Sequence, residues 1–451
     1  MKNQLSFSHY FFIGVMLFAL FFGAGNLIFP VQLGQQAGTN VVPAIIGFLI
    51  TGVGLPLLGV LAMSFSGSNN LQELASRVHP IYGVFFTSLL YLTIGPFFAA
   101  PRTGTVAYEV GISPFVTDDY HRTGLLIFTI LFFAITLFFS LKPAKIVDNV
   151  GKILAPGLVI LLLFLLVVAF INPMGSIQSP QEAYADGAFL TGFLGGYNTM
   201  DALASLVFGI IVINVIKELG ATSKKEILKT SAISGTFAIG LLAIIYVGIS
   251  FLGASSVQKV GLSANGGPVL SEAASYYFGS VGAVVLAAVI ILACLTTAIG
   301  LIIANSEYFH TLYPSISYKS YVVIFTLLTF TIANFGLSNI ISYSIPVLMF
   351  LYPLAIVLIL LTFLSPLFQH SRMVYVSTIA VTFFISIFDG LKALCSSLGI
   401  KNYDWMIPVI QFYENNLPLY TKGLGWLLPA LVVIVITTIL SKIVKTKQVT
   451  I

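Results

Sequence analysis

An apolar run that begins at Ile13 is interrupted halfway by the stretch Phe22-Gly23-Ala24-Gly25-Asn26-Leu27-Ile28-Phe29-Pro30. Glycine lowers the cost of leaving the helical conformation, so this stretch predicts a helix that unwinds at its middle. Unwinding frees carbonyls at the end of one half-helix and N–H groups at the start of the next, which together suit a cation and a carboxylate. The alternative is an unbroken helix whose small residues pack closely against a neighbour.

The rest of the chain is equally apolar. Of its 451 residues, 58% are hydrophobic and 8% are charged, whereas soluble domains carry about 25% charged residues. At about 20 residues per span, this composition predicts an all-α polytopic membrane protein with about 12 transmembrane helices. The predicted spans run from Ile13 to Leu33, Val41 to Met63, Ile81 to Val106, Gly124 to Leu141, Ile153 to Ile171, Phe189 to Ile216, Ile233 to Leu252, Gly282 to Ala304, Tyr321 to Phe335, Ile341 to Leu364, Val374 to Leu394 and Leu424 to Ile443.

The charged residues exclude some functions and predict an orientation. The 20 Lys and Arg against 15 Asp and Glu give a net charge of +5, and without basic clusters this excess excludes a nucleic-acid partner. Most basic residues fall on the connections of one side, which places both termini in the cytoplasm. The histidines lack metal-ligand spacing and a phosphate loop is missing, so the chain is predicted not to be an enzyme or an ATP-driven pump.

The spacing of the spans suggests an internal repeat. A unit of five spans is odd, so a second unit in series must lie upside down relative to the first, as in many secondary transporters. We expect the first unit over residues 8–175 and the second over 186–366. Two peripheral helices would follow over 370–445.

The sixth span carries Ser205-Leu206-Val207-Phe208-Gly209 after Asp201. Its glycine predicts a second break at the position that corresponds to the first break. Two interrupted spans at matched positions indicate a transport site. An intact helix with one tolerated glycine is the alternative.

The eighth span offers oxygen ligands for a small cation. The carbonyl of Ala293 and the hydroxyls of Thr296 and Thr297 lie on one helix surface, and hard cations prefer such oxygens. Alternatively, each hydroxyl bonds back to its own helix.

Three ionisable residues fall within predicted spans, namely Arg102, Glu109 and Asp201. An ionisable group at membrane depth indicates a functional site. We expect Arg102 to pair with Asp201 or Glu109 as an outer gate, while a purely structural ion pair is the alternative.

Several of these motifs resemble one known family. The run from Met16 to Pro30, the segment Pro101-Arg102-Thr103-Gly104, and the stretches Asp201–Gly209 and Leu292–Leu301 resemble the bacterial branched-chain amino acid:cation symporters of the BrnQ type. The resemblance covers essentially the whole chain. It implies a LeuT-like core of five plus five inverted helices with two additional C-terminal helices.

The resemblance also implies the ligands. Sodium would bind the Ala293 carbonyl, the Thr296 and Thr297 hydroxyls and carbonyls near Ala19 and Phe22. The substrate would bind backbone and side chains of the two breaks, and Asn26 matches a position that in some relatives helps to bind a second sodium. The predicted substrate-binding residues are Phe22, Gly23, Gly25, Asn26, Leu27, Ser205, Phe208 and Gly209.

The implied function is sodium-coupled import of leucine, isoleucine and valine across a bacterial plasma membrane, by alternating access. The expected partners are therefore a branched-chain amino acid, a sodium ion and the lipid bilayer, and no obligatory protein partner is evident. The alternatives are a transporter of the same fold with another small amino acid or with proton coupling, a channel, and a membrane-bound enzyme.

Overall fold

The computed structural model describes residues 6–142, 145–400 and 405–449, and these residues form helices and turns without any strand. Both terminal residues lie outside the described ranges. Their cytoplasmic placement stays a prediction. In the first half the helices are α1 (Phe7–Phe21), α2 (Ala24–Ala37), α3 (Val41–Leu49), α4 (Leu55–Ser66), α5 (Leu71–Ala75), α6 (Pro80–Leu92), α7 (Ala99–Gly111), α8 (His121–Leu141), α9 (Lys145–Ile171) and α10 (Glu182–Ala185). They are followed by α11 (Ala188–Gly195), α12 (Asp201–Glu218), α13 (Lys224–Val260), α14 (Gly266–Leu312), α15 (Tyr318–Ala333), α16 (Leu337–Leu364), α17 (Arg372–Ser397), α18 (Ile407–Asn416) and α19 (Leu427–Val449).

These helices coincide with the predicted spans. Seven continuous helical stretches of the described residues are long and apolar enough to cross a membrane, and the bent pair α11 and α12 makes an eighth. Four shorter apolar helices occupy the remaining predicted positions. The outer surface is apolar as well, since Phe138 and Ile171 leave 70% and 79% of their surface exposed. A surface of this kind is suited to lipid.

The first span is broken where its glycines predict a break. Helix α1 ends at Phe21, and α2 begins at Ala24. Between them Phe22 is extended (φ −74°, ψ 94°) and Gly23 has φ −122° and ψ −167°. The break is therefore shorter than the predicted stretch, because Gly25 and Asn26 already belong to the first turn of α2.

The sixth span is also broken, but the predicted position at Ser205–Gly209 is wrong. The break lies at residues 196–200, where a 3₁₀ turn precedes Met200 (φ 62°) and the chain bends by 46°. A Cβ atom on Gly196 would lie 2.0 Å from the Thr51 hydroxyl, so the second span fits closely against this break. Gly209 instead lies inside α12 and lets Met63 approach the helix, where a Cβ atom would be 3.0 Å from the Met63 Cβ.

Two further interruptions lack a predicted counterpart. The third span loses helical geometry at Gly95 (φ −96°, ψ −121°), next to Pro96, in the π-turn that joins α6 to α7. Proline removes a backbone donor, so an irregular turn is the ordinary consequence. The predicted eighth span, Gly282–Ala304, is the central part of the longer helix α14, which changes direction at Gly279 (φ 64°).

Spans one and two pack against spans seven and six, and glycines allow the contacts. On α2, a Cβ atom at Gly34 would lie 1.9 Å from the Ser250 carbonyl of α13. On α11, a Cβ atom at Gly192 would lie 1.9 Å from the Ala44 carbonyl of α3. Inverted repeats that equate span one with six and span two with seven require this reciprocal packing. The boundaries 8–175, 186–366 and 370–445 stay a prediction.

Candidate functional site

A narrow cavity of about 60 Å³ lies between the two breaks. Residues of α1, α2, α7, α12 and α14 contribute to its wall together with the break in span six. The lining residues are Leu20, Phe21, Gly23, Ala24, Gly25, Asn26, Ile94, Ala99, Arg102, Thr103, Thr199, Met200, Asp201, Ala204, Phe208, Thr297 and Leu301. The cavity thus has polar groups at the breaks and apolar side chains elsewhere, as small-molecule sites do.

A buried hydrogen-bond network links the two broken spans beside this cavity. The side-chain amide of Asn26 donates to Asp201 Oδ2 at 2.6 Å and also contacts the hydroxyl of Tyr246. That hydroxyl donates to the same Asp201 oxygen at 2.9 Å. Asn26 Oδ1 in turn accepts the N–H of Gly23 at 2.9 Å. Because Asn26, Asp201 and Tyr246 are all at least 97% buried, the network fixes the geometry of both breaks.

Arg102 lies on the opposite side of the span-six break. Its Nη1 donates to the carbonyl of Asn198 at 2.7 Å, its Nη2 donates to the hydroxyl of Ser344, and its guanidinium lies 5.0 Å from the ring centre of Phe29. Its Nε is buried and has no hydrogen-bond partner in the part of the chain that the structure describes. Arg102 therefore connects α7 to α2, to α16 and to the break in span six.

The predicted ion pairs of a gate are not formed. Among the described residues Arg102 contacts a carbonyl, a hydroxyl and an aromatic ring, while Asp201 accepts from Asn26 and Tyr246. Glu109 is half-buried near the start of α14, where a Cβ atom on Gly267 would lie 3.0 Å from the Glu109 Cβ. The expected pairing of Arg102 with Asp201 or Glu109 is therefore wrong for the described residues, because neutral acceptors bind the guanidinium of Arg102.

The start of α2 supplies free backbone donors. Gly23 precedes the helix, so the N–H groups of Ala24, Gly25 and Asn26 fall before the first intrahelical bond. Leu27 is the first residue whose N–H can bond within the helix, to the Gly23 carbonyl. The N–H groups of Gly25 and Asn26 are therefore more suitable for an anion than that of Leu27, and the substrate-binding role of Leu27 stays a prediction.

The predicted cation ligands of α14 lie beside the first break. The hydroxyls of Thr296 and Thr297 donate to the Ala293 carbonyl at 2.9 and 3.0 Å, and the Thr297 methyl lies 3.7 Å from the Cβ position of Gly23. The carbonyl of Ala19 has lost its helical donor, because the Gly23 N–H bonds to Asn26 instead. These neutral oxygens have the chemistry that sodium requires.

Of the remaining predicted residues, Phe208 lines the cavity, whereas Ser205 and Phe22 do not. Ser205 is buried against α4, where a Cβ atom on Gly59 would lie 1.9 Å from its hydroxyl. Its hydroxyl donates to the Ala202 carbonyl at 2.7 Å. Phe208 does line the cavity, and its ring centre lies 6.4 Å from that of Phe21. Phe22 is buried and stacks on Phe18 at 4.9 Å.

Sequence reasoning missed several residues of the site, among them Tyr246, Thr199 and Met200. Tyr246 is a single polar residue in the middle of the apolar seventh span, and a buried hydroxyl there needs a partner. That signal alone could have identified Tyr246 as part of a polar network. Thr199 and Met200 carry no comparable signal, because only the backbone of the break gives them their position.

Comparison with known proteins identifies the family. Residues 6–444 match the family described as "Branched-chain amino acid transport protein". The chain belongs to this family. It is 49% identical over 431 residues to the "Branched-chain amino acid permease BrnQ" of Bacillus subtilis (strain 168), with 96% of each chain covered. It is 41% identical over 431 residues to the "Branched-chain amino acid transport system 2 carrier protein" of Pseudomonas aeruginosa, with 96% of this chain and 95% of the relative covered.

Solved structures share the fold of this family member. The inward-facing conformation of Mhp1 aligns with a TM-score of 0.59 at 16% identity, over 93% of this chain and 94% of that one. MhsT in complex with L-phenylalanine aligns with a TM-score of 0.55 at 15% identity, over 88% and 100%. The LeuT-like, all-helical fold is thereby confirmed. The relatives are named as permeases and carriers, so this multi-pass membrane protein is a transporter and not an enzyme.

Proposed function

We propose that this transporter imports leucine, isoleucine and valine together with sodium, by alternating access. The observation that carries the proposal is the meeting of two helix breaks at one cavity, where Asn26 of the first broken span bonds to Asp201 of the second. Peptide groups freed at such breaks bind small charged ligands without needing many charged side chains. The names of the relatives support branched-chain amino acids as the substrate class.

The backbone of the first break is suited to the substrate's polar groups. The free N–H groups of Gly25 and Asn26 favour a carboxylate at the start of α2. The carbonyl of Phe22, which precedes the N-cap of α2, would accept from an ammonium group. At Gly25 a side chain would approach the Phe29 ring, 3.3 Å from the Cβ position, and Thr199 Cα, 3.6 Å from it. Glycine therefore leaves the backbone accessible to a ligand.

The apolar wall of the cavity suits a branched side chain. Phe21, Phe208, Ile94 and Leu301 provide that wall. Such a pocket distinguishes substrates that differ by one methylene by only about 1–3 kcal/mol. We therefore expect leucine, isoleucine and valine to compete for one site.

Sodium would bind between the first break and α14. The proposed ligands are the carbonyls of Ala19, Phe22 and Ala293 and the hydroxyls of Thr296 and Thr297. The released Ala19 carbonyl and the closeness of Thr297 to Gly23 support this assignment. A cation there would stabilise the broken conformation of span one, and so couple sodium binding to substrate binding.

Proton coupling is the second candidate, and the buried Asp201 favours it. Carboxylates at membrane depth serve as proton carriers in many transporters, and Asp201 lines the cavity. A proton-coupled transporter would accumulate leucine under a pH gradient without sodium.

Under either coupling mode we propose a bacterial plasma membrane location with both termini cytoplasmic, as the distribution of basic residues favours.

Uptake of labelled leucine into proteoliposomes tests the proposal. Sodium, lithium and proton gradients are imposed in separate experiments, and isoleucine, valine, alanine and glutamate are added as competitors. We expect accumulation under an inward sodium gradient, inhibited by isoleucine and valine. Accumulation under a proton gradient alone would replace sodium with proton coupling, and downhill equilibration that no gradient affects would indicate a channel.

A further inference from the structure

Two buried side chains of opposite charge lie beside the break in span six and do not form an ion pair with each other. Arg102 and Asp201 both line the cavity, and each is at least 97% buried. Burying a charge is costly unless another charge or several polar partners compensate it. Among the described residues, however, neither group makes an ion pair.

The guanidinium of Arg102 has unused donors next to the cavity. Among the described residues, only Asn198 and Ser344 accept hydrogen bonds from it, and its Nε lacks a partner there. A guanidinium has five N–H donors in a planar fork that matches a carboxylate. The Phe29 ring that the guanidinium contacts belongs to α2. The free N–H groups at the start of α2 also favour an anion. Arg102 therefore supplies a positively charged group to the wall of the cavity.

Asp201 supplies an acidic group to the wall of the same cavity. Asn26 and Tyr246 both donate to its Oδ2, and the Thr199 hydroxyl also bonds to this carboxyl group. The carbonyls of residues 205–208 lie inside α12, where N–H groups of the same helix occupy them. They are therefore not open to a substrate ammonium. Asp201 is the acceptor that the span-six side of the cavity can offer in their place.

Arg102 and Asp201 meet the same break. Arg102 Nη1 lies 2.7 Å from the carbonyl oxygen of Asn198, and Asp201 follows Asn198 by three residues, which span at most about 10 Å. Both side chains therefore line the cavity at neighbouring positions of the break.

From these contacts we infer that Arg102 and Asp201 bind the two charges of a zwitterionic amino acid, Arg102 the carboxylate and Asp201 the ammonium. They thus determine specificity rather than close an outer gate. The inference rests on the proposed function and deepens it. It requires the transporter to reject amines that lack the carboxylate and acids that lack the ammonium.

Competition binding with the purified full-length protein tests the inference. The competitors of labelled leucine are leucinamide, which lacks the carboxylate, and 4-methylpentanoate, which lacks the ammonium. We expect wild type to bind leucine far more tightly than either analogue. R102Q should weaken leucine binding by about 10- to 100-fold while changing leucinamide binding little, because only the carboxylate loses a partner. D201N should weaken leucine binding by a similar factor while changing the binding of 4-methylpentanoate little, because only the ammonium loses a partner.

The controls separate this role from general damage. The exposed Arg122 and Asp186 supply matched variants, R122Q and D186N, which should keep the wild-type ratios. If R102Q binds neither ligand, R102K is measured instead, and its leucine-to-leucinamide preference should fall because lysine lacks the planar fork. Unchanged preferences in R102Q or R102K and in D201N would overturn the inference. Failure of wild type to bind leucine, isoleucine or valine would instead refute the proposed function.

Discussion

Asn26 donates a 2.6 Å hydrogen bond to Asp201, 175 residues further along the chain. Asn26 lies in the first turn of the second half of span one, and Asp201 begins the second half of span six. One contact therefore fixes the two breaks relative to each other. A change in either break alters the shape of the same cavity, which makes the site sensitive to single substitutions.

Thr297→Ala tests the cation site. Removing one ligand hydroxyl should raise the sodium concentration for half-maximal leucine uptake by about tenfold, since a hydrogen-bonding or ligand group of this kind contributes about 1–3 kcal/mol. Uptake in proteoliposomes over a sodium series measures this value. Thr331→Ala is the matched control, because Thr331 donates to its own helix at Leu327 in the same manner but is exposed. Equal sodium dependence in both variants would remove Thr297 from the ion site.

Gly25→Leu tests the backbone-lined site. A leucine side chain would extend from a position that is 3.3 Å from the Phe29 ring and lines the cavity. We expect the folded variant to lose leucine binding, measured with labelled leucine on detergent-purified protein. Gly240→Leu is the control, because the Cβ position of Gly240 has no atom within 4 Å. Normal leucine binding by Gly25→Leu would place the substrate elsewhere.

A helix break can be predicted from the sequence only where the residues at the break itself signal it. Gly23 and Gly25 lie beside the first break, so their presence in an apolar run indicated it. At the second break the deciding features are the positive φ of Met200 and the fit of Gly196 against Thr51. Both depend on the neighbouring span, and Gly209 was a misleading signal because its small size serves packing.

Partners of buried charges were equally hard to predict. Arg102 was expected to find a carboxylate, yet it bonds to the Asn198 carbonyl and the Ser344 hydroxyl. Neither residue is close to Arg102 in sequence, and neutral acceptors are too common to single out in advance. The positions of the apolar helices, by contrast, follow from hydrophobicity alone, and the helices of the described residues coincide with them.

Tyr246→Phe tests the network that holds Asp201. The variant removes the hydroxyl that donates to Asp201 Oδ2 at 2.9 Å and leaves Asn26 as the donor. Hydrogen bonds to charged groups contribute about 1.5–3 kcal/mol, so leucine affinity should fall by about tenfold or more. Equilibrium binding measures the change. Tyr308→Phe, which removes a hydroxyl bonded to Gln72, should bind leucine normally. Identical affinities in all three proteins would exclude a role for the network in binding.

Gly253→Val tests the close contact between spans one and seven. A Cβ atom at Gly253 would lie 2.1 Å from the Val31 carbonyl, so the helices must separate to accept valine. Overpacking of this kind costs about 1–3 kcal/mol, and we expect thermal unfolding in detergent to occur several degrees lower. Gly240→Val, at the open position, should unfold close to wild type. A wild-type melting temperature for Gly253→Val would contradict the described packing.

Leucine binding to the purified transporter in sodium and in potassium buffers of equal ionic strength tests the central proposal most directly. If broken spans one and six hold the amino acid beside a sodium ion, labelled leucine should bind saturably in sodium and only weakly in potassium. Saturable binding of equal affinity in both buffers would contradict the account.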